Sequence, residues 1–451
     1  MKDASTMVPE STLRLRAGTM DVTPSTPGPL AGYEARRDAE STGVLDPLEA
    51  GLLVLEDAGV RVAWLTLDAI AVPQELSARL RGAVSDAARR HGGGDLLVRT
   101  VASHTHSAPR GWVGSILPGH SGQVIARDAD ELVLRVGALA DRVLAAPAEV
   151  VRATWAERRV PGMAANRLDP EGPRDDTAGA LVLRGVDDAP RAVLFDVGAH
   201  PTVLGPGNLR WSADWPGAAR RILRAALAAR DEAAERTGPD PVVMFLQGAA
   251  GDVSARFTRR GDDAAEVARL GAFAASAVLD AVVHDGRELR GRIRHVSAVL
   301  SLPRRRFPDA ARAASDRLAI EAERAGLAGV PPLDPRVRLA QSRVDGSRVQ
   351  EELIEAGIPD TVPFPVSVVR IGDAAWVHLP VEPFSEVARR IRESSPVPVT
   401  RVVGYTDGYL GYFVDERAAE LGTYEALSSL FGPEAIDPVV TGIRHLLEEL
   451  S

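Results

Sequence analysis

Short apolar, β-branched runs alternate with amphipathic helical patterns along nearly all of the 451 residues. Residues 96–102 and 241–246 have the pattern of buried strands, whereas residues 73–90 and 264–283 carry apolar side chains at helical spacing. Such alternation predicts an α/β fold in which a mixed β-sheet is flanked by helices. We expect a single large catalytic domain over residues 13–451.

Three details of organisation follow from the same pattern. Residues 1–12 are predicted to be a disordered N-terminal tail. Two charged helical segments near 308–354, separated by a proline-rich turn, are predicted to be a helical insertion packed on the outside. No internal repeat is recognisable in the sequence.

Composition limits the chemistry that the chain can perform. Its net charge of −9 argues against a general electrostatic footprint for nucleic acid. The chain has no cysteine, so disulfides, thiolate catalysis and cysteine-ligated zinc are excluded. The N-terminal residues lack the apolar region of a secretory signal, and no run of about 18 apolar residues could insert in a membrane. We therefore expect a cytoplasmic protein, with its oligomeric state open.

A Ser-His-Thr-His-Ser motif at residues 103–107 follows the predicted strand at 96–102. Neutral imidazole is the commonest metal ligand and the usual general base near neutral pH. In an extended chain, residues two apart point to the same side, so His104 and His106 could face one pocket. The alternative is a pair of surface histidines at a strand end.

Other predicted strands also end in turns that carry polar side chains. These turns hold His200, the segment 251–254 with Ser254, Glu382, and the aromatic loop 407–412. Strand ends on one edge of an α/β sheet converge on one crevice. Two imidazoles, a carboxylate and a phenolate would give zinc an open coordination position, as in catalytic sites. Zinc would lower the pKa of bound water to about 7 and polarise a carbonyl.

Each of these residues also has a purely structural interpretation. His200 precedes a proline and could simply end its strand. Glu382 lies at the start of a predicted helix, where the helix dipole favours a carboxylate. Ser254 could cap the next element, and the tyrosines of the loop could belong to the core.

The order of several motifs resembles the N-terminal catalytic domain of the neutral/alkaline (non-lysosomal) ceramidase family. The motifs are HTHSAP, GAHPTVLG with SADWPGAAR, FLQGAAGDVSAR, LPVEPF, and GYTDGYLGYF with TYEALSSLFGP. The resemblance implies a zinc-dependent amidohydrolase and extends from about Leu13 to the end of the chain. By the same resemblance, the zinc ligands are His104, His200, Glu382 and Tyr412, with Tyr409 as the alternative tyrosine. The catalytic or substrate-binding residues that it implies are His106, Ser254, Tyr424 and Arg167.

The sequence also departs from the family pattern. Val381 replaces the glycine before the ligand carboxylate, and GDVSAR stands where the family has GDVSPN. We expect the protein to lack the immunoglobulin-like C-terminal domain and the secretion signal of the family. These departures point away from ceramide itself and towards a soluble N-acyl compound or a lipid-like amide.

The resulting functional prediction is hydrolysis of a linear amide in a small molecule by zinc-activated water. One alternative is an acyltransferase or amide-forming enzyme that uses the same zinc site. A non-catalytic metal-binding homologue is the other. A serine nucleophile at Ser254 also stays open, because no Ser-His-Asp arrangement can be recognised from the sequence.

Overall fold

The computed structural model describes residues 13–114, 124–235, 239–284, 286–331 and 334–451. The predicted disordered tail at 1–12 lies outside the described residues. Within the described residues, strands and helices alternate as the apolar periodicity predicts, and the mixed α/β class is confirmed. No described helix combines the length and apolar character that crossing a membrane requires. The cytoplasmic location stays a prediction.

The first unit of the fold is a sheet with two covering helices. Its elements are β1 (Arg14–Asp21), β2 (Glu49–Asp57), β3 (Val60–Leu67), α1 (Gln74–Arg90), β4 (Leu97–Ala102) and α2 (Ala126–Ala145). The strand order is β4-β3-β2-β1, and the short strand Glu149–Val150 pairs with β1. β3 and β4 run parallel with α1 as their crossover, and the other pairs are antiparallel.

The second unit has the same order of elements. It consists of β5 (Arg152–Arg159), β6 (Thr177–Arg184), β7 (Pro190–Val197), α3 (Asp214–Ala233), β8 (Val242–Gln247) and α4 (Ala264–Val283). The strand order is β8-β7-β6-β5, with the short strand Arg287–Glu288 beside β5. Again only one long pair, β7 with β8, is parallel, and α3 connects its two strands.

The third unit repeats this plan around an insertion. Its elements are β9 (Ile293–Pro303), α5 (Ala310–Gly326), α6 (Pro335–Glu355), β10 (Thr361–Ile371), β11 (Ala374–His378), α7 (Ser385–Ser394), β12 (Val399–Val403) and α8 (Ile436–Glu449). The strand order is β12-β11-β10-β9, and β11 runs parallel to β12. The sequence predicts one mixed sheet, whereas the described residues form three. The three sheets have the same strand order and the same single parallel pair, although the sequence shows no recognisable repeat.

Short elements connect the three units. Four-to-six-residue helices cover Arg110–Val113, Glu416–Leu421 and Tyr424–Leu427, and 3-10 helices cover Glu34–Arg36, Ala255–Phe257 and Pro433–Ala435. Three pairs of two-residue strands are Gly43–Val44 with Arg210–Trp211, Ala165–Asn166 with Val253–Ser254, and Glu382–Pro383 with Tyr412–Phe413. The last two pairs fix segments that carry candidate site residues.

The three sheets share one apolar core and have separate helical covers. Each sheet contributes a buried tryptophan to this core, and the Trp376 ring centroid lies 6.1 Å from that of Trp64 and 5.5 Å from that of Trp155. The opposite faces are covered by α1 and α2, by α3 and α4, and by α7 and α8. Burial of both faces explains why the strands are apolar along nearly their whole length.

The insertion was predicted to pack on the outside, and α6 has exposed residues on one side and a packed face on the other. One face of α6 approaches the short helix that begins at Tyr424. A Cβ atom built on Gly346 of α6 would lie 3.0 Å from the Tyr424 Cα, so glycine permits this close approach. The charged composition of α6 is typical of an exposed helix, but its inner face lines the cavity described below.

Candidate metal centre

Each of the three units places a candidate ligand beyond the C-terminal end of a strand in its parallel pair. His104 follows β4, His200 follows β7, and Glu382 follows β11. Their side chains are buried and meet at one point, where the Glu382 Oε2 atom lies 3.0 Å from His200 Nε2 and 3.4 Å from His104 Nε2. The three sheets therefore bring together residues that are far apart in the sequence.

The backbone around His104 and His200 fixes the direction of both rings. His104 has a φ of +67°, a left-handed conformation that is uncommon for a residue with a side chain. Its amide donates to the Ala69 carbonyl oxygen. The His200 amide donates to the carbonyl of Val253, and His200 forms a β-bridge with Ser254.

The Nδ1 atoms of His104, His106 and His200 each face a backbone carbonyl oxygen. The distances are 2.6 Å from His104 to Ile70, 2.5 Å from His200 to Ala250, and 3.1 Å from His106 to Gly32. A carbonyl can only accept, so each Nδ1 carries the proton and each Nε2 of a neutral ring presents a lone pair. This is the tautomer that metal-binding histidines adopt.

The Nε2 atoms of these three rings converge. His104 Nε2 lies 3.1 Å from His200 Nε2 and 3.3 Å from His106 Nε2. The ligand atoms of the three residues all lie within 4.8 Å of one another, so the cluster could hold a metal ion. Three lone pairs and a carboxylate oxygen at such distances repel one another unless a cation lies among them.

The donor set fits zinc. Imidazole nitrogen and carboxylate oxygen are among the donors that zinc prefers, and two nitrogens on a tetrahedral zinc are about 3.3 Å apart. Burial lowers the pKa of His200 to about 3, and burial together with the charges of His104 and His200 lowers that of His106. Burial raises the pKa of Glu382, but interaction with protonated His104 and His200 rings more than offsets this effect and lowers it well below its usual value; a bound cation would take the place of those protons. Neutral imidazole and ionised carboxylate are the forms that bind metal.

Three tyrosines of the loop after β12 surround Glu382. The Tyr405 hydroxyl donates to Glu382 Oε2 at 3.1 Å, and the Tyr409 hydroxyl donates to Oε1. Tyr412 lies beside the Arg167 guanidinium, and its ring centroid is 6.0 Å from that of Tyr424. Burial raises the pKa of all three loop tyrosines well above the usual value, and the charge of Glu382 adds to this effect.

Arg167 is held in place by the turn that carries Ser254. Its amide donates to the Asp252 carbonyl at 2.6 Å, and its guanidinium lies 3.3 Å from both the Gly251 carbonyl and the Glu425 carboxylate. Burial opposes the charge of Arg167, but Tyr412, Glu425 and Glu382 more than offset this effect and raise its pKa. Arg167 therefore stays cationic.

Ser254 lies at the cavity wall as the N-cap of a 3-10 helix. Its hydroxyl accepts a hydrogen bond from the Arg256 amide at 3.4 Å. Among the described residues, no histidine nitrogen lies within hydrogen-bonding distance of this hydroxyl. The structure thus brings Ser254 close to the candidate ligands without the histidine contact that a serine nucleophile uses.

The candidate residues open onto a cavity of about 350 Å³. Its wall includes every catalytic candidate and all but one of the ligand candidates from the sequence: His104, His106, Arg167, Ser254, Glu382, Tyr412 and Tyr424. The remaining ligand candidate, His200, lies behind the wall against His104 and Glu382. A cavity of this size, with polar groups concentrated at one place, suits a small organic substrate.

Sequence reasoning missed two residues that organise this site. Asp252 connects three segments: it accepts from the Ser385 amide and hydroxyl at 2.8 and 2.9 Å, and from Asn166 at 2.8 Å. Tyr405 holds Glu382 as described above. Both lie within motifs that the sequence singles out, but the long-range partners that define their roles are absent from any local pattern.

The fold is shared with the neutral ceramidases, which confirms at the level of the fold the resemblance inferred from the motif order. The neutral ceramidase from Pseudomonas aeruginosa matches with a TM-score of 0.74 and 16% sequence identity, over 98% of this chain and 75% of that chain. A ceramidase complexed with C2 matches with a TM-score of 0.72 and 14% identity over the same shares. No family model matches the sequence. A search of curated proteins finds no match.

Proposed function

We propose that this protein is a zinc-dependent hydrolase of a linear amide bond in an N-acylated small molecule. The observation that supports it most strongly is the convergence of three Nε2 lone pairs and the Glu382 carboxylate at the wall of a cavity. The fold shared with neutral ceramidases favours an amide over other carbonyl substrates.

In this proposal the zinc ligands are His104, His200, Glu382 and Tyr412, and Tyr409 is the alternative tyrosine. Bound zinc would act as a Lewis acid that polarises the amide carbonyl and makes water a nucleophile near neutral pH. The carbonyls of Ile70 and Ala250 hold the ligand rings in the required tautomer. Tyr405 and Tyr409 orient the Glu382 carboxylate.

The remaining candidates act on substrate and water. Arg167 is cationic and faces the cavity, where it can stabilise the negative charge that develops on the amide oxygen. Tyr424 adds a hydroxyl to the same wall. His106 has a free Nε2 acceptor and can accept a proton from the attacking water, or it can join the zinc as a third imidazole. Ser254 can hydrogen-bond the substrate.

Turnover by metal-free and zinc-reconstituted protein tests the proposal. The protein is treated with a chelator, dialysed, and assayed on a panel of N-acyl amides with and without equimolar zinc. We expect product only after zinc is added. Turnover by the metal-free protein at the same rate would contradict the proposal, as would no turnover of any amide by protein shown to contain zinc. Competition between water and added amines separates hydrolysis from acyl transfer.

A further inference from the structure

We propose that the substrate carries an anionic group and that Arg256 and Arg338 bind it at the cavity wall. This inference rests on the proposed amide hydrolysis and specifies its substrate class. Arg256 lies two residues after Ser254, and Arg338 belongs to α6 of the insertion. Both arginines line the same cavity as the candidate metal centre.

Arg256 and Arg338 are both exposed residues, and their lack of protein partners distinguishes their guanidinium groups from those of the other arginines around the cavity. Arg110 donates to the Arg37 carbonyl and pairs with Asp38, and Arg259 donates to the carbonyls of Thr202 and Val203. Arg167 pairs with Glu425. In the part of the chain that the structure describes, no carboxylate or carbonyl lies within bonding distance of the Arg256 or Arg338 guanidinium.

Arg256 lies close enough to both Arg167 and Arg338 for their charges to interact. The surrounding protein and the neighbouring charges of Arg167 and Arg338 lower the pKa of Arg256 to about 10, which leaves it charged at neutral pH. A bound anion would relieve the repulsion among these guanidinium groups. Arginine suits this task because its planar N–H groups match carboxylate and phosphate oxygens.

The acidic residues of the cavity provide only part of this neutralisation, because Glu425 pairs with Arg167 and its charge also acts on Arg256. Glu382 faces the histidines and Glu425 faces Arg167. Asp345 accepts from Gln341 at 3.0 Å on its own helix, and burial together with the charge of Glu34 raises its pKa. Asp345 lies about two helical turns from Arg338 on the same helix.

Binding to the metal-free protein tests the inference without turnover. Calorimetry compares two matched pairs: N-octanoylglycine with N-octanoylglycinamide, and an N-octanoyl phosphoethanolamine with N-octanoylethanolamine. We expect the anionic member of at least one pair to bind about tenfold more tightly, and the preference to decrease with added salt. The pair with the larger preference distinguishes a carboxylate from a phosphate substrate.

Variants then locate the anion. The double variant Arg256→Gln/Arg338→Gln should lose the preference. The matched control Arg336→Gln removes the same charge from α6 at an exposed residue that pairs with Asp334, and it should keep the preference. Equal binding within both pairs, or an equal loss in the control, would overturn the inference. If anions bind preferentially but no zinc-loaded protein hydrolyses any amide, the proposed function fails and the anion site is retained.

Discussion

His200 and His378 are alike in burial, in their position at a strand end and in their lowered pKa, but they differ in what their ring nitrogens face. The Nδ1 atom of His200 faces a backbone carbonyl oxygen, whereas that of His378 has no hydrogen-bond partner among the described residues. Each is 1% exposed, each lies at or just beyond the end of a strand in a parallel pair, and burial lowers the pKa of each to about 3. His378 Nε2 accepts a hydrogen bond from the Trp64 indole at 3.0 Å. His200 Nε2 faces His104 Nε2 and the Glu382 carboxylate.

The comparison shows that burial and a lowered pKa do not identify a metal ligand. The lone pair of His378 already has a donor within the protein, so it needs no cation to satisfy it. The lone pair of His200 faces only other electron-rich atoms, an arrangement that a cation would stabilise. The two histidines should therefore respond in opposite ways when metal binding and folding stability are measured separately.

The largest effect is expected for His200→Ala. Losing one ligand should remove the metal and lower kcat/KM on an N-acyl amide by about 10³-fold or more, because Lewis-acid catalysis contributes several kcal/mol. Steady-state kinetics and circular dichroism measure activity and folding. Activity within threefold of the wild type in a folded variant would remove His200 from the site.

His378→Leu should instead affect stability. Without an acceptor, the buried Trp64 indole N–H loses its hydrogen bond, which costs about 1–3 kcal/mol in the free energy of unfolding. Removal of the unpartnered Nδ1–H of His378 offsets part of this cost. Urea denaturation of the metal-free proteins measures this cost. The variant should bind as much zinc as the wild type, and loss of zinc would show that the two histidines are not distinct.

The contribution of His378 should also depend on pH. Its folded pKa of about 3 lies below the unfolded value of about 6.5, so the unfolded chain takes up a proton that the folded protein does not. The contribution of His378 to the free energy of unfolding is therefore fully present above pH 6.5. It decreases as the pH falls, by about 2 kcal/mol between pH 8 and pH 5. The stability difference between wild type and His378→Leu, both metal-free, should narrow by that amount. A constant difference would contradict the assignment.

The smallest effect is expected for Tyr409→Phe. Removing the hydroxyl that donates to Glu382 should lower zinc affinity about tenfold, the lower end of the range for groups that orient metal ligands. Competition with a chromogenic chelator measures the zinc affinity. Tyr33→Phe is the matched control, because the Tyr33 hydroxyl donates to the Leu204 carbonyl and not to Glu382. A larger loss in Tyr412→Phe would support Tyr412 as the ligand, whereas the reverse order would favour Tyr409.

The strands, the helices and the strand-end motifs could be predicted because periodicity and turn residues are local signals. The pairing of strands into three sheets could not, since it depends on contacts such as those among Trp64, Trp155 and Trp376. Nor could the position of α6, whose charged residues predict a solvent-exposed helix. Asp68 also follows a strand in a parallel pair, but it is neutralised by Arg220, so a polar residue at a strand end is not sufficient to predict a site residue.

The metal content of the purified protein, measured by elemental mass spectrometry beside His104→Ala and His378→Leu, tests the central claim most directly. We predict about one zinc per chain in the wild type and in His378→Leu, and none in His104→Ala. No metal in the wild type after zinc is added back, or equal zinc in the wild type and His104→Ala, would contradict a metal centre at this site.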